Sequence, residues 1–245
     1  MKQIQITLTP PESKRIIAMG VKKLPVIQQA MKKGIILIAL GSSNACVAEE
    51  LTGKKIDPIR YGAGYIDGTT TAVPIGERLP VIALRDGKQV DGEGIIKEMT
   101  SQDVVIKGAS ALDAQGVAGV MMSSPVGGTT GSFLGIVMSR GVNLVIPIGL
   151  EKSIPYSVIE ISKRIGIQRT SKATGLAVGM MPLSGTVITE VEALTLLGAE
   201  DVFPIGAGGI NGGEGSITLC VTGEKSDEIF ELVQRVKKIK GEFQE

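Results

Sequence analysis

Residues 36–51, ILIALGSSNACVAEEL, pass from an apolar run through four small residues into an amphipathic segment. Gly41 lets the backbone turn tightly. Ser42, Ser43 and Asn44 bring hydrogen-bonding side chains to the start of a helix expected from Ala45 to Thr52 and stopped by Gly53. Two readings fit this junction. The small residues cradle an anion at the positive end of the helix, or they only cap it.

The chain on either side bears on the choice. Upstream, Thr9-Pro10-Pro11-Glu12 has the form of a capping box with proline in the first turn, and a second short helix is expected from Pro25 to Gly34. Residues 1–33 carry seven Lys/Arg against Glu12 as the single acid. That bias reads as a solvated basic face. A DNA-binding helix-turn-helix is disfavoured, because GVKKLP leads into a short, mostly apolar segment without polar reading residues. Downstream, PVIALRDGKQV reads as a strand with a hairpin signal at Arg85–Lys88. A helix Ile95–Thr100, a strand Asp103–Ala109, a helix Phe133–Arg140 and a strand Asn143–Ile148 follow. Strands alternating with helices argue for a mainly parallel sheet covered on both faces. Ligands in such sheets sit at the carboxyl ends of the strands. Three loops there, 41–44, 108–110 and 127–132, are rich in Gly, Ser and Thr.

From about residue 170 the pattern changes. A capping box, Thr189-x-x-Glu192, opens a helix that Gly198 stops. Two strands, Asp201–Ile205 and Ser216–Val221, flank GAGGINGGEG, and a last helix begins near Ser226 with Ile229, Val233 and Val236 on its inner face. The glycine run lies between two strands with no helix after it, so it reads as a hairpin connection, not a phosphate loop. The expected organisation is a ligand-binding domain over 1–170 and a small α+β, ferredoxin-like module over 171–245.

Composition limits the chemistry. The chain has 245 residues, a net charge of +1, two cysteines, no tryptophan and no histidine. Without imidazole there is no Ser-His or Cys-His pair. Two distant cysteines make neither a disulfide framework nor a zinc site. Few aromatic residues and a near-neutral charge argue against nucleic acid. The longest purely apolar run, Ile35–Leu40, is far too short to span a membrane. A cytoplasmic protein without cofactor or metal is expected.

The motifs together resemble the superfamily of ribose-5-phosphate isomerases, glucosamine-6-phosphate deaminases and CoA transferases. That group has a Rossmann-like sheet whose first strand ends in a phosphate-binding loop of the form G-[ST]-G-S-T, matched here by Gly41-Ser42-Ser43-Asn44-Ala45. A second match, Lys107-Gly108-Ala109-Ser110-Ala111-Leu112-Asp113, stands where the isomerases read D-G-A-D-E-x-D. A third, VGGTTGSFLGIVMSRGVNLVIPIGLEKS, resembles their glycine loop, helix and D-x-S-K strand end, with Gly127 and Gly128 on two of the glycines and Lys152 on the final lysine. In this alignment Pro125 and Leu134 replace the isomerases' lysine and glutamate. Sensor domains of DeoR-type repressors resemble the same fold and are looser at these positions.

The resemblance implies that a phosphorylated or otherwise anionic metabolite binds at the strand ends. Gly41, Ser42, Ser43 and Asn44 would hold the anion, with Gly127, Gly128, Thr129 and Thr130 as the opposite wall. Lys107, Gly108, Ser110 and Lys152 would complete the pocket, and Asp113 is the one carboxylate left to act as a base. The protein is then a diverged isomerase-like enzyme. A metabolite sensor is the alternative, as is a CoA-transferase-like enzyme with Glu93 as nucleophile. Arg60, Tyr61 and Cys46 are weaker candidates. A homo-oligomer is expected, because the C-terminal module has an open sheet edge.

Overall fold

Gln3, Gln5 and Thr7 alternate with Ile4, Ile6 and Leu8, the period of a strand with one buried face. In the computed structural model, which describes residues 2–239, they form β1 (Gln3–Leu8), an element not anticipated above. Helix α1 (Pro10–Lys23) starts where the capping box requires, the Thr9 N–H donating to Glu12 Oε2 at 2.8 Å. After α2 (Pro25–Lys32) comes β2 (Ile35–Ile38), buried at every residue, and then α3 (Ser42–Thr52), which begins three residues earlier than expected. A hairpin of β3 (Gly64–Asp67) and β4 (Thr69–Ala72) precedes a second one, β5 (Ile82–Arg85) with β6 (Lys88–Val90). The turn between β5 and β6 places Asp86 and Gly87 at φ 50° and 75°, the left-handed conformation that the Asp-Gly pair tolerates.

Residues 95–97 make only one 3-10 turn, and β7 (Val104–Ile106) follows. Strands β8 (Ala111–Leu112) and β9 (Ala118–Met122), helix α4 (Gly128–Arg140), β10 (Asn143–Pro147), a 3-10 turn at Leu150–Lys152 and α5 (Val158–Arg164) complete the middle of the chain. The last elements are β11 (Gly179–Leu183), β12 (Thr186–Ile188), α6 (Glu190–Leu196), β13 (Asp201–Gly208), β14 (Ser216–Thr222) and α7 (Ser226–Ile239).

The architecture is mixed α/β. A six-stranded sheet has the order β12-β10-β7-β2-β5-β6. Its first four strands are parallel, whereas β5 and β6 are antiparallel, so the sheet is mixed. The two-residue turn at Asp86-Gly87 makes β5 and β6 antiparallel neighbours, and β6 forms that edge of the sheet. Alternation along β2 sorts the core. Ile36 and Ile38 pack with Ile16, Ile17 and Val47 of α1 and α3 on one face. Ile35 and Leu37 pack with Phe133 and Val137 of α4 and Val120 of β9 on the other. Both faces are covered, which is why the strand reads as an unbroken apolar run.

Two smaller antiparallel sheets flank this core, β11-β9-β8 and β1-β14-β13. The sheets do not divide the chain at residue 170. Strand β1 joins β14 and β13, while β11 and β12, both beyond 170, extend sheets begun by earlier strands. Helix α1 ties these parts together by lying against α3, α6 and α7. Its Gly20 makes the approach to α6 possible, since a Cβ there would stand 2.5 Å from the Ala193 Cα.

Candidate functional site

The parallel strands β2, β7 and β10 end on the same side of the sheet. Helices α3 and α4 begin there, and the N-terminal amides of a helix have no partner within it. Between them lies a cavity of about 400 Å³. Gly41, Ser42 and Ser43 line it from the start of α3, and Gly127, Gly128, Thr129 and Thr130 from the start of α4. Lys107, Gly108 and Ser110 enter from the end of β7, and Lys152 from the turn after β10. The three Gly/Ser/Thr-rich loops picked out in the sequence therefore share one cavity. Gly127 takes φ 77° as the residue before α4, and a Cβ there would meet the Gly131 Cα at 3.1 Å, so the tight entry to this helix needs glycine.

Two of the expected site residues lie elsewhere. Asn44 is fully buried, donating from Nδ2 to the Ala39 carbonyl at 2.6 Å and accepting at Oδ1 from the Gly108 N–H at 3.0 Å. It staples the end of β2 to the end of β7. Asp113 is also buried, and its carboxylate accepts the backbone N–H groups of Gln115, Val117 and Val158, each at 2.9 Å. Burial alone would raise its pKa, but the amides from Val158, Val117 and Gln115 outweigh that and hold it below the usual carboxylate range. A carboxylate engaged in this way organises a turn and the start of α5, and it does not face the cavity. The weaker candidates are also absent from the lining. Tyr61 is fully buried, its hydroxyl donating to the Ile38 carbonyl at 2.6 Å and accepting from the Ile82 N–H at 3.0 Å. Burial pushes the Cys46 thiol pKa up, and Glu93 is exposed on the surface.

Among the described residues four cationic side chains line the cavity, Lys14, Arg78, Lys107 and Lys152, and no Asp or Glu does. The sequence reading missed Lys14 and Arg78. Lys14 comes from α1 and Arg78 follows the β3–β4 hairpin, and neither sits at a strand end. Lys107 donates from Nζ to the carbonyls of Gly108 at 3.1 Å and Leu40 at 3.3 Å. Lys152 donates to the Ala109 carbonyl at 3.1 Å. Among the described residues neither has a carboxylate within ion-pair distance. Burial, with Lys152 as a like charge, pushes the Lys107 amine down to about 8. The Lys152 amine is also lowered, first by burial, although Glu151 and Glu190 oppose the shift. The Ser43 hydroxyl is buried without a hydrogen-bond partner. Two helix N-termini, four cations and an unpartnered hydroxyl make a site electrostatically suited to an anion.

Among the described residues no group of three or more His, Cys, Asp and Glu side chains is placed to hold a metal, and no helix is long and apolar enough to cross a membrane. Comparison with protein-family models, with curated proteins and with solved structures finds no match to the chain.

Proposed function

We propose that the protein binds a small phosphorylated metabolite, or one of like anionic character, in the cavity at the strand ends. The observation that carries this reading is the charge of the lining: four cations and two helix N-termini against no carboxylate among the described residues. An anion at such a helix end gains up to about 2 kcal/mol in favourable geometry. The reading includes a Rossmann-like ancestry for the parallel core β12-β10-β7-β2, favoured by phosphate-type loops where β2 and β7 end. Calorimetry with inorganic phosphate and glycerol 3-phosphate, with glycerol as the uncharged control, tests it. Saturable binding of both phosphates, weakened by Lys152→Ala, is the expected result. Equal heats for glycerol and glycerol 3-phosphate refute it.

A sensor without isomerase chemistry is the second reading. Leu134, at the position of the isomerases' glutamate, packs against the core beneath α4. With Asp113 engaged by backbone amides, no carboxylate is left at the cavity to move a proton between sugar carbons. Ribose 5-phosphate is therefore expected to bind without forming a ketose. Ketose above background in a coupled assay refutes that.

A further inference from the structure

Lys107 is a buried amine of the cavity whose acceptors are two backbone carbonyls. The chain has no histidine, and neither cysteine lines the cavity. An ammonium carries three N–H donors, while a neutral amine carries two and a lone pair. The structure supplies two acceptors to Nζ, the carbonyls of Gly108 and Leu40. That number satisfies the neutral amine and leaves its lone pair unused. Lys152, donating to the next carbonyl along the strand end, places a second cation close by and disfavours a charge on Lys107. A desolvated lysine beside another cation is the arrangement that activates an amine towards carbonyl carbon. Ser43 adds a buried hydroxyl without a partner, its Cβ lying 3.8 Å from where a Cβ on Gly108 would stand.

We infer that Lys107 captures the carbonyl carbon of the bound metabolite as an imine, which makes the ligand class a phosphorylated aldehyde or ketone. The inference rests on the anion-site reading above. In the forward step the Nζ lone pair adds to the carbonyl carbon, and the carbonyl π pair moves to oxygen and takes up a proton. The resulting carbinolamine loses that oxygen as water, and the nitrogen lone pair closes the carbon–nitrogen double bond. The sum is amine plus carbonyl giving protonated imine plus water, with one proton taken up and no change of oxidation state. The helix N-termini, Lys14 and Lys152 hold the phosphate, while Ser43 meets the carbinolamine oxygen.

Reductive trapping tests this on the intact protein. Glyceraldehyde 3-phosphate and sodium cyanoborohydride are added near neutral pH, with and without excess inorganic phosphate, and labelled peptides are mapped by mass spectrometry. Lys107 should gain the mass of the aldehyde less one oxygen, at least about tenfold above any surface lysine, since its neutral fraction is far larger than that of an ordinary amine. Phosphate should suppress this label, and Lys107→Arg should lose it. If phosphate binds but the label is absent or spread over surface lysines, the imine role is wrong and the anion site stands. A Lys107 label that phosphate does not suppress also overturns the inference. If phosphate does not bind at all, both readings fall together.

Discussion

Replacing Asn44 by alanine should cost far more than loss of a ligand contact would. The side chain bridges two backbone groups that end neighbouring strands, the Ala39 carbonyl at 2.6 Å and the Gly108 N–H at 3.0 Å, with the Ile106 carbonyl at 3.4 Å as a weaker acceptor. Asn44 is fully buried, so water does not replace either bond. Each buried backbone group left unsatisfied costs about 1–3 kcal/mol, so Asn44→Ala should lose about 2–6 kcal/mol. That is a large share of the roughly 5–15 kcal/mol that holds a domain together. Asn44→Asp is the sharper variant. It keeps an acceptor for Gly108 but sets a carboxylate oxygen against the Ala39 and Ile106 carbonyls, and it should destabilise comparably. Urea unfolding reads both as a fall in midpoint with an unchanged slope. An Asn44→Ala unfolding free energy within about 0.5 kcal/mol of the parent refutes the staple, because surface-like substitutions fall in that range.

Asp113→Ala should lower stability by about 3 kcal/mol or more, because three backbone amides lose a charged acceptor, and should leave phosphate affinity unchanged. A loss of affinity at unchanged stability puts Asp113 back in the site. Stability should also follow Lys107. Its folded amine titrates near 8 and its unfolded amine near 10.4, so between these values the unfolded chain binds the extra proton and stability rises with pH, by up to about 3 kcal/mol. Lys107→Met should reduce that rise, with Lys152, lowered in the same direction, supplying what remains; a flat parent curve from pH 7.5 to 9.5 refutes it. Tyr61, raised by burial, acts in the opposite sense, and stability should fall again above pH 10. Strand β13 is an uncovered edge carrying exposed Phe203 and Ile205, and light scattering should report an oligomer that Ile205→Asp dissociates; a parent mass of 25.6 kDa refutes this.

The junction at Gly41 was legible because strand, turn and helix each have a short-range signal. The same holds for the hairpin at Asp86-Gly87 and for the buried stripe Ile229, Val233 and Val236. The roles of Asn44 and Asp113 were not legible. Successive side chains in the first turn of α3 point about 100° apart. Which of Ser42, Ser43 and Asn44 turns to the cavity and which to the strand depends on where β7 lies. For Asp113 a turn-capping role was open as well as a site role, and its local amides, Gln115 and Val117, fit the cap, while the third, the Val158 N–H, lies 45 residues further on. Strand β1 did carry a period-2 signal, but its partner is more than two hundred residues away, and the adjoining helix cap dominated the local reading.

That pairing of β1 with β14, Leu8 opposite Ile217 and Gln3 opposite Thr222, has a consequence for biosynthesis. Strand β1 leaves the ribosome about two hundred residues ahead of its partner. At roughly 5–20 residues per second the interval is on the order of 10–40 s. Throughout it Ile4, Ile6 and Leu8 lack the sheet that buries them, and α1 lacks α7 throughout and α6 for most of it. The nascent chain therefore presents an unpaired apolar strand until β14 has emerged, which is the kind of segment that chaperones hold. A stop codon or a stalled ribosome before residue 216 leaves β1, made some two hundred residues earlier, without the strand it folds against.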